Sequence, residues 1–208
     1  MLADEVREMI AELDRNKLDE SWVRKERFAR NEVIQNETFR KEFFIVARGV
    51  LHLENKNFRI IHFFFNGDVV NRQIAMINID KELGLVCDTE VLLIYVNREY
   101  FFDFATKKPL FLKWLLEETL YNNKKLYHEL IKKELPIEKR IIQSLQYICE
   151  RSNEETDSES QQVPIYMNKM KIAKYAGVFC TELFEKWSLL INENVVEEKD
   201  GLLFIKKK

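Results

Sequence analysis

The chain has few cysteines, and their spacing does not suggest a covalent or metal-bound framework. Its three cysteines, Cys87, Cys149 and Cys180, lie far apart among 208 residues. Disulfide scaffolds, zinc sites and iron–sulfur clusters need cysteines at close, paired spacings. We therefore expect three reduced thiols, and no cofactor is predicted.

The chain also lacks a long apolar run and an excess of basic residues. No stretch approaches the roughly 20 apolar residues that span a membrane, and the acidic start at Asp4, Glu5 and Glu8 is unlike a secretory signal, so a cytoplasmic protein is expected. The 33 basic residues face 35 acidic ones, which does not favour nucleic-acid binding by the chain as a whole. From Pro164 onward, however, eight lysines outnumber six acids.

The histidines do not form the pattern of a β-roll enzyme. A cupin metal site needs two histidines separated by one residue, with a Glu and a later His on facing strands. His52 and His62 are ten residues apart, and His128 lies in a segment predicted to be helical. No other catalytic constellation is visible, so an enzyme of cupin type is kept only as a weak alternative.

The last forty residues outline two short helices joined by a tight turn. Residues 168–176 predict the first helix, and Gly177 is expected to take a positive φ where the chain reverses. Residues 180–191 predict the second helix. Its expected buried face follows the amphipathic spacing of Leu183, Trp187, Leu190 and Ile191. This arrangement is that of a helix-turn-helix.

A hairpin is predicted directly after the second helix. Two short apolar runs, residues 195–196 and 202–205, flank Asp200 and Gly201, and an Asp-Gly pair between such runs favours a two-residue hairpin turn. A helix-turn-helix followed by such a wing usually places its second helix in the major groove of DNA.

The N-terminal half predicts one amphipathic helix followed by short strands. Leu2, Val6, Met9, Ile10 and Leu13 form the apolar stripe of the helix. Residues 42–46, 50–53, 58–64 and 91–96 are short runs rich in Phe, Ile and Val, interrupted by Gly49 and Gly67. Strands of this length and spacing predict a barrel-like roll or jelly roll.

A long helix is predicted from about residue 109 to residue 135. Its heptad positions form an imperfect coiled-coil seam, comprising Leu112, Leu116, Thr119, Asn123, Leu126 and Leu130. A polar Asn123 in such a seam favours two strands in fixed register; alternatively, Asn122 and Asn123 face water on a helix packed against the roll. Pro136 ends the helix, residues 137–150 predict another, and residues 151–162 predict a surface loop.

This order of elements resembles the Crp/Fnr family of transcription regulators, the family of the cyclic-AMP receptor protein. Residues 31–35 and 43–50 are similar to its opening strands, residues 65–70 to its Gly-Asp turn, and residues 136–141 to the start of its hinge-proximal helix. The resemblance covers about residues 25–205. It implies an α+β chain with a cyclic-nucleotide-binding-like β-roll in residues 1–108, a dimerisation helix in residues 109–135 and a winged helix-turn-helix in residues 136–208.

By the same resemblance, the chain is expected to be a homodimer that binds double-stranded DNA and contacts RNA polymerase, and not an enzyme. Members that bind cyclic nucleotide use a Gly-Glu pair for the ribose and an Arg-Ser or Arg-Thr pair for the phosphate. Asn71-Arg72 and Lys81-Glu82 stand there instead, so no response to cyclic nucleotide is expected. None of the first 86 residues is Cys, which excludes the iron–sulfur branch, and a lone His52 or His62 is a weak signal for haem. The effector stays unknown.

The second helix of the helix-turn-helix also departs from the family, because its exposed face has no arginine. The base-reading candidates are Phe179, Cys180, Thr181, Glu182, Glu185 and Lys186. The phosphate-contact candidates are Lys169, Lys171, Lys174, Lys199 and Lys206. Two alternatives stay open: Phe179 and Phe184 belong to the core, or the chain keeps the fold and acts through protein contacts.

Overall fold

The computed structural model describes residues 4–34, 41–71, 83–152 and 159–206. These residues form two compact units. The N-terminal unit comprises Met1–Lys56 and His62–Leu126, and the C-terminal unit comprises Asn57–Ile61 and Tyr127–Lys208. The division between the units therefore falls inside the long predicted helix and not at either of its ends.

Two antiparallel four-stranded sheets build the N-terminal roll. The strands are β1 (Val23–Phe28), β2 (Val33–Ile34), β3 (Glu42–Arg48), β4 (Leu51–Asn55), β5 (Ile60–Phe64), β6 (Val69–Val70), β7 (Leu83–Cys87) and β8 (Val91–Asn97). One sheet has the order β1-β8-β3-β6 and the other β2-β7-β4-β5. The runs predicted as strands lie in β3, β4, β5 and β8, which confirms the roll.

Aromatic side chains fill the interior of this roll. Phe43, Phe44 and Phe63 are fully buried. The first helix, α1 (Asp4–Asn16), buries Met9 and Leu13 in one core cluster with Phe43. Interiors packed in this way leave little free space, so the phenylalanines act mainly as the hydrophobic core of the unit.

Two elements of the roll have weak sequence signals. β1 buries only its end residues, Val23 and Phe28, and pairs with β8 alone, so its polar sequence lacks the apolar run of a central strand. The helix α2 (Arg98–Ala105) follows β8 directly, and the Asn97 side chain caps it by accepting a hydrogen bond from the Tyr100 N–H. The long helix α3 follows as Pro109–Lys132.

The C-terminal unit consists of three further helices and a small sheet. Helix α4 spans Ile137–Ser152, α5 spans Lys169–Ala176 and α6 spans Cys180–Asn192. The sheet has the order β10-β11-β9 and comprises β9 (Ser160–Gln162), β10 (Val196–Lys199) and β11 (Leu202–Lys206). Between β10 and β11, Asp200 and Gly201 both have positive φ, as the predicted Asp-Gly turn requires.

The loop predicted for residues 151–162 is wrong at both of its ends. Helix α4 continues to Ser152, and residues 160–162 form β9, which pairs Gln162 with Phe204 and Gln161 with Ile205. This pairing uses main-chain groups, so the polar sequence carried no apolar pattern to indicate it. Residues 153–158 lie outside the described residues.

Candidate nucleic-acid interface

Two short helices and the turn between them form the centre of the candidate interface. The Asn168 side chain caps α5 by accepting a hydrogen bond from the Lys171 N–H at 2.9 Å. Gly177 ends α5 with a φ of 65°, the left-handed conformation predicted for it. A Cβ atom there would also collide with the Arg59 guanidinium. Arg140 of α4 donates to the Gly177 carbonyl at 3.0 Å, which fixes the turn further.

Helix α6 buries one face and exposes the opposite one. Leu183, Trp187 and Leu190 are almost completely buried, as their spacing predicted, whereas Ile191 is exposed, contrary to prediction. At about 100° per residue, Thr181, Phe184 and Ser188 lie together on the far side, and all three are exposed. This exposed side is the part of α6 that is free to enter a groove.

The structure places four of the six base-reading candidates on the surface and engages the other two in contacts. Phe179, Cys180, Thr181 and Glu185 are exposed. Glu182 accepts a hydrogen bond from the Phe179 N–H at 2.7 Å and so caps the helix. Lys186 forms an ion pair with Glu138 of α4 at 2.7 Å, and this contact lowers the pKa of Glu138. The only lysine of α6 is therefore occupied within the unit.

The wing is tied to both helices through Glu198 of β10. Its carboxylate accepts hydrogen bonds from the Trp187 indole at 2.5 Å and from Lys169 at 2.7 Å. These two donors lower the pKa of Glu198, with the Lys169 contact contributing most. These two contacts hold the wing hairpin beside the helix-turn-helix.

The five phosphate-contact candidates differ in their surroundings. Lys169 and Lys199 pair with Glu198 and Glu197, at 2.7 and 2.8 Å. Lys171 and Lys174 lie on α5 and are half-buried, and Lys206 is exposed at the end of β11. The Lys174 ammonium also lies 5.2 Å from the centre of the Phe58 ring. Lys207 and Lys208, which continue the basic end of the chain, lie outside the described residues.

Comparison with solved structures identifies the fold. A cyclic nucleotide-binding domain containing protein from Listeria monocytogenes EGD-e superposes with a TM-score of 0.80 and 15% identity, covering 97% of this chain and 98% of that one. The c-di-GMP responsive global regulator CLP of Xanthomonas campestris superposes with a TM-score of 0.68 and 13% identity, covering 90% of this chain and 96% of that one. A transcriptional regulator of the CRP/FNR family from Thermus thermophilus superposes with a TM-score of 0.68 and 13% identity, covering 88% of this chain and 93% of that one.

The chain has the fold of the Crp/Fnr regulators. No protein-family model matches it, and no curated protein matches its sequence. The fold confirms the resemblance drawn from the order of motifs, including the roll and the winged helix-turn-helix. Two of the three superposed proteins are regulators by name.

Within this Crp/Fnr fold, helix α3 carries an exposed apolar stripe opposite the face that it buries. Leu115 and Lys125 lie on the buried face, whereas Leu116 and Leu120 are 59% and 58% exposed. The stripe comprises Leu112, Leu116, Leu120, Asn123, Tyr127 and Leu130. From Leu116 onward its spacing alternates between four and three residues, which is the heptad pattern of a coiled coil.

Two of the predicted seam residues, Thr119 and Leu126, do not point along the exposed stripe. Thr119 is half-buried and donates a hydrogen bond to the Leu115 carbonyl at 2.8 Å. Leu126 lies at the edge of the exposed stripe and also lines a cavity of the roll. The stripe contains the next residue in the sequence in each case, Leu120 after Thr119 and Tyr127 after Leu126. Asn122 does not simply face water, because it donates to the Val69 carbonyl at 2.8 Å. Asn123 is exposed on the stripe, and its place in a dimer seam stays a prediction.

The cavity between the β-roll and α3 is small, and its described lining contains no Lys, Arg, Asp or Glu. Its volume is about 140 Å³. The lining residues are Leu53, His62, Phe64, Val69, Val70, Asn71, Thr119, Asn122, Asn123 and Leu126. Small-molecule sites typically enclose about 300–1,000 Å³, and phosphate recognition normally uses arginine, lysine or backbone N–H groups. Arg72, Lys81 and Glu82, which stand where family members have residues that bind cyclic nucleotide, lie outside the described residues.

The two histidines of the roll are buried and contact neighbouring side chains. His52 is buried and its Nδ1 lies 2.7 Å from the Asp88 carboxylate. His62 is buried with its ring edge-on to Phe64, at a centroid distance of 4.8 Å. Among residues 4–34, 41–71, 83–152 and 159–206, no group of three or more His, Cys, Asp or Glu side chains is arranged to hold a metal ion. In the same residues, no helix is both long and apolar enough to cross a membrane.

Proposed function

We propose that the chain is a homodimeric, sequence-specific DNA-binding transcription regulator that acts in the cytoplasm without responding to cyclic nucleotide. The observation that carries this proposal is the exposed outer side of α6 in a winged helix-turn-helix. The second helix of this motif normally enters the major groove, and its outer side here is occupied by short polar and aromatic side chains. Contact with RNA polymerase stays a prediction.

Lysines around α6 support a nucleic-acid partner. Lys171 and Lys174 lie on α5, which crosses the sugar-phosphate backbone in motifs of this kind, and Lys206 lies in the wing sheet. Contacts from lysine to phosphate fix the position of a protein on DNA but carry no sequence information. We assign these three residues to phosphate contacts and the outer side of α6 to base recognition.

The apolar stripe of α3 supports a homodimer. Large apolar patches on a protein surface mark interaction sites, and a heptad of leucines on one exposed face is typical of a two-stranded coiled coil. In a dimer formed through this stripe, two copies of α6 read half-sites about one helical turn apart. A polar residue at the Asn123 position favours one register and two strands.

The small volume and the lining of the cavity support the lack of a response to cyclic nucleotide. Its described lining contains no Lys or Arg side chain for a phosphate and no Asp or Glu side chain for ribose hydroxyls. Its volume is also below the usual range for a nucleotide-sized ligand. Any regulation therefore works through another signal, which changes the balance between two orientations of the reading heads.

A salt-titrated gel shift on the region upstream of the gene for this chain tests DNA binding. We expect the affinity for this region to exceed that for random DNA and to fall as salt increases. A Lys171→Ala, Lys174→Ala variant should bind more weakly, and each lysine–phosphate interaction that it removes should reduce the salt slope by about 1. Lys25→Ala, an exposed lysine of β1, serves as the control and should bind like the wild type.

A regulator that acts through protein contacts is the second candidate. It is favoured by one specific observation: in the described part of α6, no basic side chain faces outward, because Lys186 pairs with Glu138. Affinity that neither depends on salt nor distinguishes the upstream region from random DNA would support this candidate. In that case, the double lysine variant should keep its function in the cell.

A further inference from the structure

Two exposed phenylalanines stand out on the candidate reading surface. Phe179 is 77% exposed at the start of α6, and Phe184 is 57% exposed one turn into the helix. The alternative in which these rings belong to the core is therefore wrong, because Leu183 and Trp187 fill the buried side instead. Neither phenylalanine gains much stability from burial in the folded unit.

The position of Phe179 is also unfavourable for helix stability alone. It is the N-cap residue of α6, where Ser, Thr, Asp or Asn would cap the helix through a side-chain oxygen. Phe supplies no such acceptor, so only Glu182 contributes a side-chain hydrogen bond at this end of the helix. A bulky apolar ring at an exposed cap position suggests a role in binding.

The chemistry of the outer side limits which bases α6 can recognise. Bidentate recognition of guanine needs arginine or lysine, and the one lysine of α6 pairs with Glu138. The outer side and the exposed start of α6 together offer two aromatic rings, the hydroxyls of Thr181 and Ser188, and the carboxylate of Glu185. Among base edges in the major groove, the thymine C5-methyl group is the apolar feature that such rings can contact.

We propose that Phe179 and Phe184 select thymine, by packing against the C5-methyl groups of thymines in each half-site. This inference rests on the proposed function, because it requires α6 to enter the major groove. Thr181 lies about one turn before Phe184 on the same side, and its methyl group extends the apolar surface. Specificity then comes from excluding water between methyl groups and rings, with the surrounding lysines supplying most of the affinity.

The test removes single methyl groups from the DNA. Duplexes that bind the full-length protein are first enriched from a random pool, and each thymine of the enriched site is then replaced by uracil, which pairs identically but lacks the C5-methyl group. We expect the enriched half-site to contain thymines whose replacement weakens binding by about fourfold per methyl group. Phe179→Ala and Phe184→Ala should each bind the thymine and uracil duplexes equally at one such position.

Leu189→Ala is the matched control variant. Leu189 is an exposed apolar residue of the same helix, about 140° around it from Phe184, so its removal should leave the uracil effect unchanged. Circular dichroism melting of all three variants checks that they fold. Because both phenylalanines are exposed, their melting temperatures should stay close to that of the wild type.

The outcomes separate this inference from the proposed function. An enriched site whose affinity does not change when thymine becomes uracil would overturn thymine selection while leaving DNA binding intact. A uracil effect that persists in both phenylalanine variants would also overturn it. If no sequence is enriched and binding does not depend on salt, the proposed function itself fails, and the exposed rings would then be assigned to a protein partner.

Discussion

At the scale of single residues, Glu198 shows how one carboxylate holds three elements of the C-terminal unit together. It lies on the wing strand β10 and accepts hydrogen bonds from Lys169 at the start of α5 and from Trp187 of α6. Because these donors favour the charged carboxylate, they lower the pKa of Glu198 below its ordinary value of 4.5. The position of the wing should therefore depend on pH in the acidic range.

We expect Glu198→Gln to reduce the acid sensitivity of the fold. A carboxylate with a lowered folded pKa contributes stability that is complete above pH 4.5 and is lost as the pH falls through the lowered pKa. The variant should therefore melt at a lower temperature than the wild type at pH 7, with a smaller difference at pH 3. Glu185→Gln, on the exposed side of α6, is the control. A difference that does not change with pH would contradict the assignment.

The three thiols should differ sharply in reactivity. Cys180 is exposed, whereas Cys87 and Cys149 are buried. Burial raises the pKa of the Cys87 thiol to about 12, so almost none of it is thiolate at neutral pH. Iodoacetamide should alkylate Cys180 in the folded protein and reach the other two only after unfolding, as followed by mass spectrometry. Early labelling of Cys87 would show that the roll opens.

Some residue-scale features could be predicted from the sequence and others could not. The positive φ of Gly177 followed from its place between two amphipathic segments, because local backbone geometry depends mostly on neighbouring residues. The ion pair of Lys186 could not be predicted, because its partner Glu138 is far away in sequence, on α4. Side-chain contacts between distant segments leave no periodic pattern in a single sequence.

At the scale of elements, a buried polar cluster joins the end of α3 to α5 within the C-terminal unit. The Tyr175 hydroxyl donates to Glu129 at 2.5 Å, and Glu129 pairs with Lys132 at 2.6 Å. The Lys132 ammonium lies 3.6 Å from the centre of the Tyr175 ring. Burial raises the pKa of Tyr175, which keeps its hydroxyl protonated as a donor. Burial also lowers the pKa of Lys132, and the neighbouring Glu129 carboxylate opposes this by favouring the charged ammonium.

Tyr175→Phe should destabilise the C-terminal unit. The change leaves the ring in place but removes a hydrogen bond to a charged group, which is worth about 1.5–3 kcal/mol. We expect a lower urea midpoint for unfolding, measured by circular dichroism. Tyr121→Phe, at an exposed position of α3 outside the stripe, is the matched control. Equal midpoints for the two variants would mean that the cluster contributes nothing to stability.

The exposed stripe of α3 should be required for dimer formation. Leu116→Glu together with Leu120→Glu places charges in the stripe, so the variant should be monomeric by light scattering at concentrations where the wild type is dimeric. His128→Glu, about 120° around the helix from Leu116, is the control and should stay dimeric. A dimer that persists in the double variant would exclude this stripe as the interface.

The accuracy of element predictions depended on how much of each element is buried. Central strands such as β3 and β8 are nearly continuous apolar runs and could be recognised directly. The edge strand β1 and the short β9 expose polar side chains and pair through the main chain, so they gave no clear signal. On α3 the sequence indicates a heptad, but the exposed stripe contains Leu120 and Tyr127 in place of Thr119 and Leu126. The sequence could not distinguish these positions, because only the fold shows which face of the helix the roll covers.

At the scale of the whole molecule, the proposed function gives three parts of one chain separate tasks. The roll has an interior filled by aromatic side chains. In the proposal, α3 supplies a surface for a second copy and the winged helix-turn-helix supplies the DNA contacts. Sequence order alone indicated these parts, whereas the chemistry of the reading helix emerged only when the exposure of Phe179 and Phe184 and the ion pair of Lys186 were known. No signal in the sequence identifies the effector.

The central claim is that paired α6 helices bind DNA, and hydroxyl-radical footprinting of the wild-type protein on an enriched duplex tests it most directly. We predict two protected half-sites with centres about 10 base pairs, or a multiple of that distance, apart, and protection that weakens strongly between about 50 and 200 mM salt, as about 6–10 phosphate contacts would require. A single protected patch, or protection that does not change with salt, would contradict it.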